Sequence, residues 1–349
     1  MDYLHINVDM TFINAQRVND IIMFTKTNQY KGQTLVFQSW QEPIDRSKIP
    51  LYKKLFKETA HINKIWFVQY DYAQEDWVQD YDFVTYFDFL AYQMYRYNSD
   101  HNTSWNHNAT KFLCHTGVPH KFNRTVLIYN LYKEGLLDKC EYSYPALSKE
   151  VQDSCRPLLP NLEHNEFYGW VNEVCKEATV DNYSNGNPHN DWLWGISPGK
   201  ELAENMLFNV TVETWFCEIQ NTMPFLTEKT WKPVMNNLPF IHVGEPGSLQ
   251  KLKNLGYKTF DDYFVEQYDD ITDPIMRMNA IVNNIKHWHT NILDYKDSIK
   301  QDVEHNYNHF NNNIQNMIEN VNAIDDIDLL VDYTLETLLK NKPDLRLTS

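Results

Sequence analysis

Thr227-Glu228-Lys229-Thr230-Trp231-Lys232-Pro233-Val234 runs almost directly into Leu238-Pro239-Phe240-Ile241-His242-Val243-Gly244. A hydroxyl residue precedes a charged helical turn, and an apolar strand-like run follows. With a further strand over Phe208 to Glu213 upstream, this is the strand–helix–strand grammar of an α/β chain. The same turn carries chemistry. Free amides at a helix start attract phosphate oxygens, lysine adds a full charge, and a glutamate carboxylate suits the two hydroxyls of a ribose. The pattern therefore fits a nucleoside diphosphate. An ordinary capped helix beside a core strand has the same local pattern.

Outward from that stretch, the first hundred residues alternate strands and helices. Leu4 to Val8, Thr34 to Trp40 and Ile65 to Tyr70 read as strands, 15–27 and 50–59 as helices, and Phe83 to Tyr97 as a strand leading into a helix. The polar stretch 98–110 reads as a linker. The alternation then restarts with a strand at Lys111 to His115, a helix from about His120 to Leu137 and a strand near Cys140 to Tyr144. A helical part spans 164–178, a polar loop 181–190, and long helices 273–291 and 294–322. Two successive alternating units predict an α/β chain of two Rossmann-like domains facing across a cleft, with C-terminal helices. The expected boundaries are 1–105, 106–292 and 293–349. In such sheets ligands bind beyond the carboxyl ends of the strands.

Composition narrows the function. The chain has 349 residues, 42% of them hydrophobic and 14% aromatic, enough for a sizeable core. Its net charge of −16 argues against a generally basic nucleic-acid binder, leaving only a local patch at Lys48, Lys53, Lys54 and Lys57. Five scattered cysteines without a Cys-x-x-Cys pair fit a reduced, cytoplasmic chain. No apolar run is long enough for a membrane span, and the start has no signal-peptide pattern. Gly-x-Gly-x-x-Gly, Walker, Gly-x-Ser-x-Gly and His-Glu-x-x-His motifs are missing from the sequence. This lowers the case for classical dehydrogenases, P-loop NTPases, serine hydrolases and zinc proteases. With ten glycines in all, phosphate must be held by side chains and helix ends.

Several residues are placed to carry chemistry. Glu42, between a strand end and Pro43, is a candidate general base or a solvated loop residue. Arg124 lies early in the helix after strand 111–115, beside His120 and Lys121. A basic first turn opposes the helix dipole unless an anion is bound there, although a surface arginine would look the same. Asp80-Tyr81-Asp82 is a short Asp-x-Asp match to the metal-dependent, single-sheet sugar transferases, and an acidic chain produces such matches by chance. His305 and His309, four apart on one helix face, read as packing or hydrogen-bonding residues, since no third metal ligand stands out.

Taken in order, these motifs resemble the α1,3-fucosyltransferase-like glycosyltransferases of GT-B architecture. They resemble more closely a group of phage and bacterial glycosyltransferases with a Thr-Glu-Lys-Thr-x-Lys-Pro helix, a Pro-Phe-Ile strand and a Leu-x-x-Leu-x-x-x-Gly-[Phe/Tyr]-x-Thr-Phe segment. That segment is here Leu249 to Phe260. The resemblance is good over 208–290, fair over 111–145 and thin elsewhere. It implies Glu42, in Gln41-Glu42-Pro43, as catalytic base, and Arg124 on the donor phosphates. It implies Glu228 on the ribose and Lys229 on the pyrophosphate, with Thr227, Lys232 and Glu213 completing the donor site. Glu213-Thr214-Trp215 replaces the family's Glu-Asn-Ser, and its distance to Glu228 is longer, so fucose is not implied.

The implied reaction is inverting transfer from a nucleotide-diphosphate sugar without a metal or other cofactor. The acceptor would be a bacterial or phage glycan. The alternatives are a hydroxymethylated base in phage DNA, with the enzyme in the host cytoplasm, or a non-catalytic nucleotide- or sugar-binding protein.

Overall fold

The structure, a computed structural model, describes residues 3–7, 14–27, 34–39, 48–61, 64–69, 84–88, 95, 104–116, 121–144, 148–175, 200–217 and 224–320. The chain divides into two compact units. One comprises 1–96, 221–223 and 311–349, and the other 97–220 and 224–310. Among the described residues each holds a four-stranded parallel sheet, so the molecule is α/β.

The first unit contains β1 (Tyr3–Asn7), α1 (Ala15–Thr27), β2 (Thr34–Ser39), α2 (Ile49–Glu58), β3 (Lys64–Gln69) and β4 (Val84–Asp88). Its strands lie side by side in chain order, in parallel register from Tyr3 against Thr34 to Gln69 against Asp88. Successive right-handed crossovers in one direction put α1 and α2 on the same face. They pack there through Val18, Ile21, Ile22, Tyr52, Leu55 and Phe56, all buried. At the rim Lys26 pairs with Glu58 at 2.6 Å and Lys54 donates to Asn19 Oδ1 at 2.8 Å. Part of the basic patch expected on α2 is thus already engaged. Glu42, Asp80 and Asp82 lie outside the described residues.

In the second unit β5 (Lys111–His115) is followed by α3 (Phe122–Lys133), β6 (Cys140–Ser143), α4 (Lys149–Cys155), α5 (His164–Val174) and α6 (Lys200–Ala203). Then come β7 (Met206–Val212), α7 (Glu228–Met235), β8 (Phe240–Val243), α8 (Ser248–Asn254), α9 (Pro274–Asn291) and α10 (Lys296–Asn320). Helix α10 lies in the second unit through Phe310, and its remainder is counted with the first. The strand order is β6-β5-β7-β8, all parallel. From β5 the chain steps outward to β6, then returns past β5 to β7 and continues the other way to β8. The direction reverses between β5 and β7, and the carboxyl ends of these two strands flank a topological switch point.

Strand β7 is buried along its whole length. Phe208 stacks on Phe112 at 4.9 Å and meets the edge of Trp288 on α9 at 5.5 Å, and Phe260 and Phe264 also contact Trp288. The opposite face, against α7, carries Asn209, Thr211 and Glu213. Helix α10 is pinned to the turn after α8. Asn306 brackets Lys258, accepting from its N–H at 2.7 Å and donating to its C=O at 2.9 Å, while His305 and His309 place Nε2 at the carbonyls of Gly256 and Leu255. Gly256 is in the left-handed region, with φ +89°, and a Cβ there would sit 2.6 Å from His309 Nε2. The glycine of the Leu249–Phe260 segment is therefore required twice, for its backbone and for its closeness to α10.

Candidate functional site

Thr227 opens α7 as its N-cap, with its side chain accepting the Lys229 N–H at 3.3 Å. The cap selects the helix start, and the end follows within eight residues. Pro233 has no N–H to give the carbonyl of Lys229. Asn237, with φ 49°, then turns the chain left-handed, and Leu238 N bonds back to Pro233 O at 2.9 Å. The turn Thr227–Lys229 is thereby held at the carboxyl end of β7, beside the switch point.

Its charged groups meet one another first. Lys229 Nζ lies 2.5 Å from Glu228 Oε1 and 3.2 Å from Thr227 Oγ1. Both side chains of the ion pair remain about a quarter exposed, at 24% and 23%, so they are open to solvent and to a ligand. Lys232, one turn on, is half-buried and forms no ion pair among the described residues. Burial pushes its ammonium down to about 8, Glu228 pulling it up and Lys229 pushing it further down.

Glu213 stands behind the turn. Its carboxylate is fully enclosed and accepts from Thr227 N–H at 3.0 Å, Thr227 O–H at 2.5 Å and Thr230 O–H at 2.6 Å, with His242 Nε2 at 3.8 Å. Burial alone would raise its pKa. His242, Lys229 and Thr227 overcome that and hold it down to about 2. Its oxygens are thus committed to α7, and it contributes to the site by shaping the turn from within.

Arg124 lies in the first turn of α3, buried, with Lys121 at the N-cap position, no acidic residue in that turn and no side-chain cap. Asn123 ties this helix start to the other side of the switch point, donating to the Glu213 carbonyl at 2.7 Å. Lys121 Nζ sits 3.8 Å over the ring of Trp215, and Phe122 stacks with Phe216 at 6.0 Å. The structure therefore brings to one edge of one sheet the donor-site residues expected from sequence: Arg124 after β5, and Glu213, Thr227, Glu228, Lys229 and Lys232 after β7.

Other functional groups were not singled out from sequence. Arg277, wholly buried on α9, donates to the carbonyls of Gly244 and Glu245 at 3.0 Å each, of Asp269 at 3.0 Å, and of Tyr268. Burial lowers its pKa against the pull of Tyr268 and Asp269. It staples the carboxyl end of β8 in place. Glu245 then accepts from Phe225 N–H at 3.1 Å, and Lys251 donates to Pro224 O at 2.7 Å, fixing the segment that enters α7. In sequence Arg277 is one more polar residue in a helix, and its only signal is its position near the capped start at Asp273-Pro274.

Among the described residues no group of three or more His, Cys, Asp or Glu is placed to hold a metal, and no helix is long and apolar enough to cross a membrane. Comparison with protein-family models, curated proteins and solved structures found no match.

Proposed function

We propose that this protein is a glycosyltransferase of the GT-B kind, moving a sugar from a nucleotide-diphosphate donor to an acceptor hydroxyl without a metal. The observation that carries the donor half of this reading is the cationic end of α7 beside the switch point. A capped helix start, the Lys229 ammonium and a half-buried Lys232 converge there, with the basic first turn of α3 across the crevice. A diphosphate is an anion that these groups suit. Glu228, released from Lys229 as the phosphates take the lysine, is free to accept the ribose hydroxyls.

The leaving diphosphate develops charge during transfer, and Arg124 and Lys229 stabilise it in the place of a metal. Glu42 is assigned as the base on its resemblance alone. It takes the acceptor proton as the hydroxyl attacks the anomeric carbon, so the reaction inverts. The acceptor is taken as a glycan. The chain's net charge of −16 disfavours DNA as the acceptor.

The test is a panel of nucleotide-diphosphate sugars, read first as the rise in melting temperature and then as turnover in excess EDTA. At least one donor should stabilise the chain, and transfer should survive the chelator. Glu42→Gln should lower transfer by about 10²–10⁴-fold with donor binding kept. A panel in which no nucleotide sugar moves the melting temperature would refute the donor site. Turnover only on hydroxymethylated DNA would transfer the reading to a DNA-modifying enzyme.

A further inference from the structure

We propose that His242 and Thr230 are positioning residues that set the phosphate-facing turn of α7 through Glu213, an inference that rests on the donor-site reading above. The argument begins with the protons. Thr230 has one hydroxyl hydrogen, and its 2.6 Å contact with Glu213 Oε1 uses it, because a carboxylate held ionised can only accept. The 3.1 Å contact between Thr230 Oγ1 and His242 Nε2 must then be an N–H donated by the imidazole. His242 therefore bears a hydrogen on Nε2, while its Nδ1 is buried without a hydrogen-bond partner among the described residues.

The fold makes room for this arrangement. His242 and Gly244 share a face of the chain at the end of β8, and a Cβ on Gly244 would lie 2.3 Å from His242 Cε1 and 2.8 Å from Nδ1. Gly244 has an ordinary φ, so its glycine serves the ring rather than the backbone. An imidazole that only filled space would not need its neighbour stripped to hydrogen while a ring nitrogen stays unbonded.

A continuous chain results. His242 Nε2–H donates to Thr230, Thr230 to Glu213, and Thr227 to both Glu213 oxygens through its N–H and its hydroxyl. Thr227 Oγ1 in turn accepts from the backbone N–H and the ammonium of Lys229. Four of these five residues are buried, and the chain ends on the lysine assigned to the diphosphate. Its effect is to fix the Thr227 rotamer and with it the angle at which the first amides of α7 and the Lys229 ammonium meet a ligand. Neither His242 nor Thr230 touches substrate.

The test compares Thr230→Val, which keeps the shape and removes the hydroxyl, with Thr230→Ser, which restores it. Calorimetric affinity is measured for UDP, GDP, ADP, CDP and TDP, and folding is followed by circular dichroism. The Val variant should bind the preferred diphosphate about tenfold more weakly, the cost of a hydrogen bond to a charged group, and the Ser variant should stay within about twofold. His242→Phe repeats the test from the other end and replaces it should Thr230→Val not fold. Val-variant affinity equal to wild type, or Val and Ser variants equally weakened, overturns the proposal. If wild-type protein binds none of the five, the donor-site reading fails on its own account. Amide hydrogen exchange at Thr227 and Lys229 then decides the relay: faster in the Val but not the Ser variant supports it, and unchanged exchange in both overturns it.

Discussion

Strand β7 has two faces with opposite chemistry. One carries Phe208, Val210 and Val212, with Phe208 in the aromatic layer of Phe112 and Trp288, while the other carries Asn209, Thr211 and Glu213, with Glu213 bonded to Thr227 and Thr230 of α7. Both faces are equally buried, so exposure does not explain the difference. The apolar face needs only shape, and its stabilisation comes from area removed from water. The polar face must satisfy every donor and acceptor, and it does so through Thr227, Thr230 and a bond from Asn209 to Thr211 at 2.8 Å. Buried polar networks seldom outperform a well-packed apolar core in stability. Their presence on one face only, the face that leads to the cationic end of α7, assigns the first face to holding the sheet and the second to aiming the site.

The largest effect is expected on the apolar face. Phe208→Ala should cost about 3–5 kcal/mol of stability, read by urea denaturation, while the folded fraction binds nucleoside diphosphate as wild type does. A loss of affinity greater than the loss of folded protein would break the division of labour. Next comes Glu213, where the sign follows from its pKa. A folded value of about 2 lies below its ordinary 4.5. Its contribution is therefore complete above 4.5 and is lost as pH falls from there toward about 2. The span corresponds to on the order of 3 kcal/mol. Glu213→Gln should be less stable at neutral pH and show a flatter stability curve across that acid window. An unchanged acid limb would mean that another carboxylate governs it.

Lys229→Ala sharpens the comparison from the site outward. The Lys229–Glu228 pair is only about a quarter exposed and by itself contributes under about 1 kcal/mol, but the ammonium also helps hold the buried Glu213 ionised, so part of the Glu213 contribution should be lost with it. Binding of nucleoside diphosphate should weaken by about 1.5–3 kcal/mol, the range for a charge-assisted hydrogen bond. Calorimetry on the folded variant checks this, and equal affinity would remove Lys229 from the site.

What the sequence disclosed follows the same division. The alternation of short apolar runs located all eight strands among the described residues, and the Thr-Glu-Lys turn was readable because capping is local chemistry within four residues. Strand boundaries shifted by a residue or two, as with β7, which begins at Met206 rather than Phe208, while α3 ends at Lys133 rather than near Leu137 and α5 at Val174 rather than 178. The short helix Lys149–Cys155 was missed, since seven residues carry little periodicity. Segment 249–260 was recognised as a motif without its helix Ser248–Asn254. Glu213 was placed at the donor site by resemblance, but its enclosure depends on Thr227 and Thr230, 14 and 17 positions away. His242 and Arg277 were invisible for the same reason, because their partners are distant in the chain. Gly244, two positions after His242, is the one local sign that the strand end holds something large.

The smallest effect concerns Lys232, and it tests whether the polar face ends in a site at all. Burial depresses its ammonium from 10.5 to about 8. The unfolded chain therefore binds more protons than the folded one between those values, and stability should rise with pH across that window. A diphosphate at the end of α7 supplies negative charge and moves the ammonium back toward its ordinary value. Binding near pH 8.5 should then take up a fraction of a proton. Calorimetry in two buffers of different ionisation enthalpy measures that uptake directly as a difference in apparent binding enthalpy. Lys232→Met keeps the length of the side chain and removes the titrating group, so the buffer dependence should vanish with it. Binding that takes up no proton in wild-type protein at this pH would place the diphosphate away from Lys232 and shift the site toward Arg124 and Lys121, across the switch point.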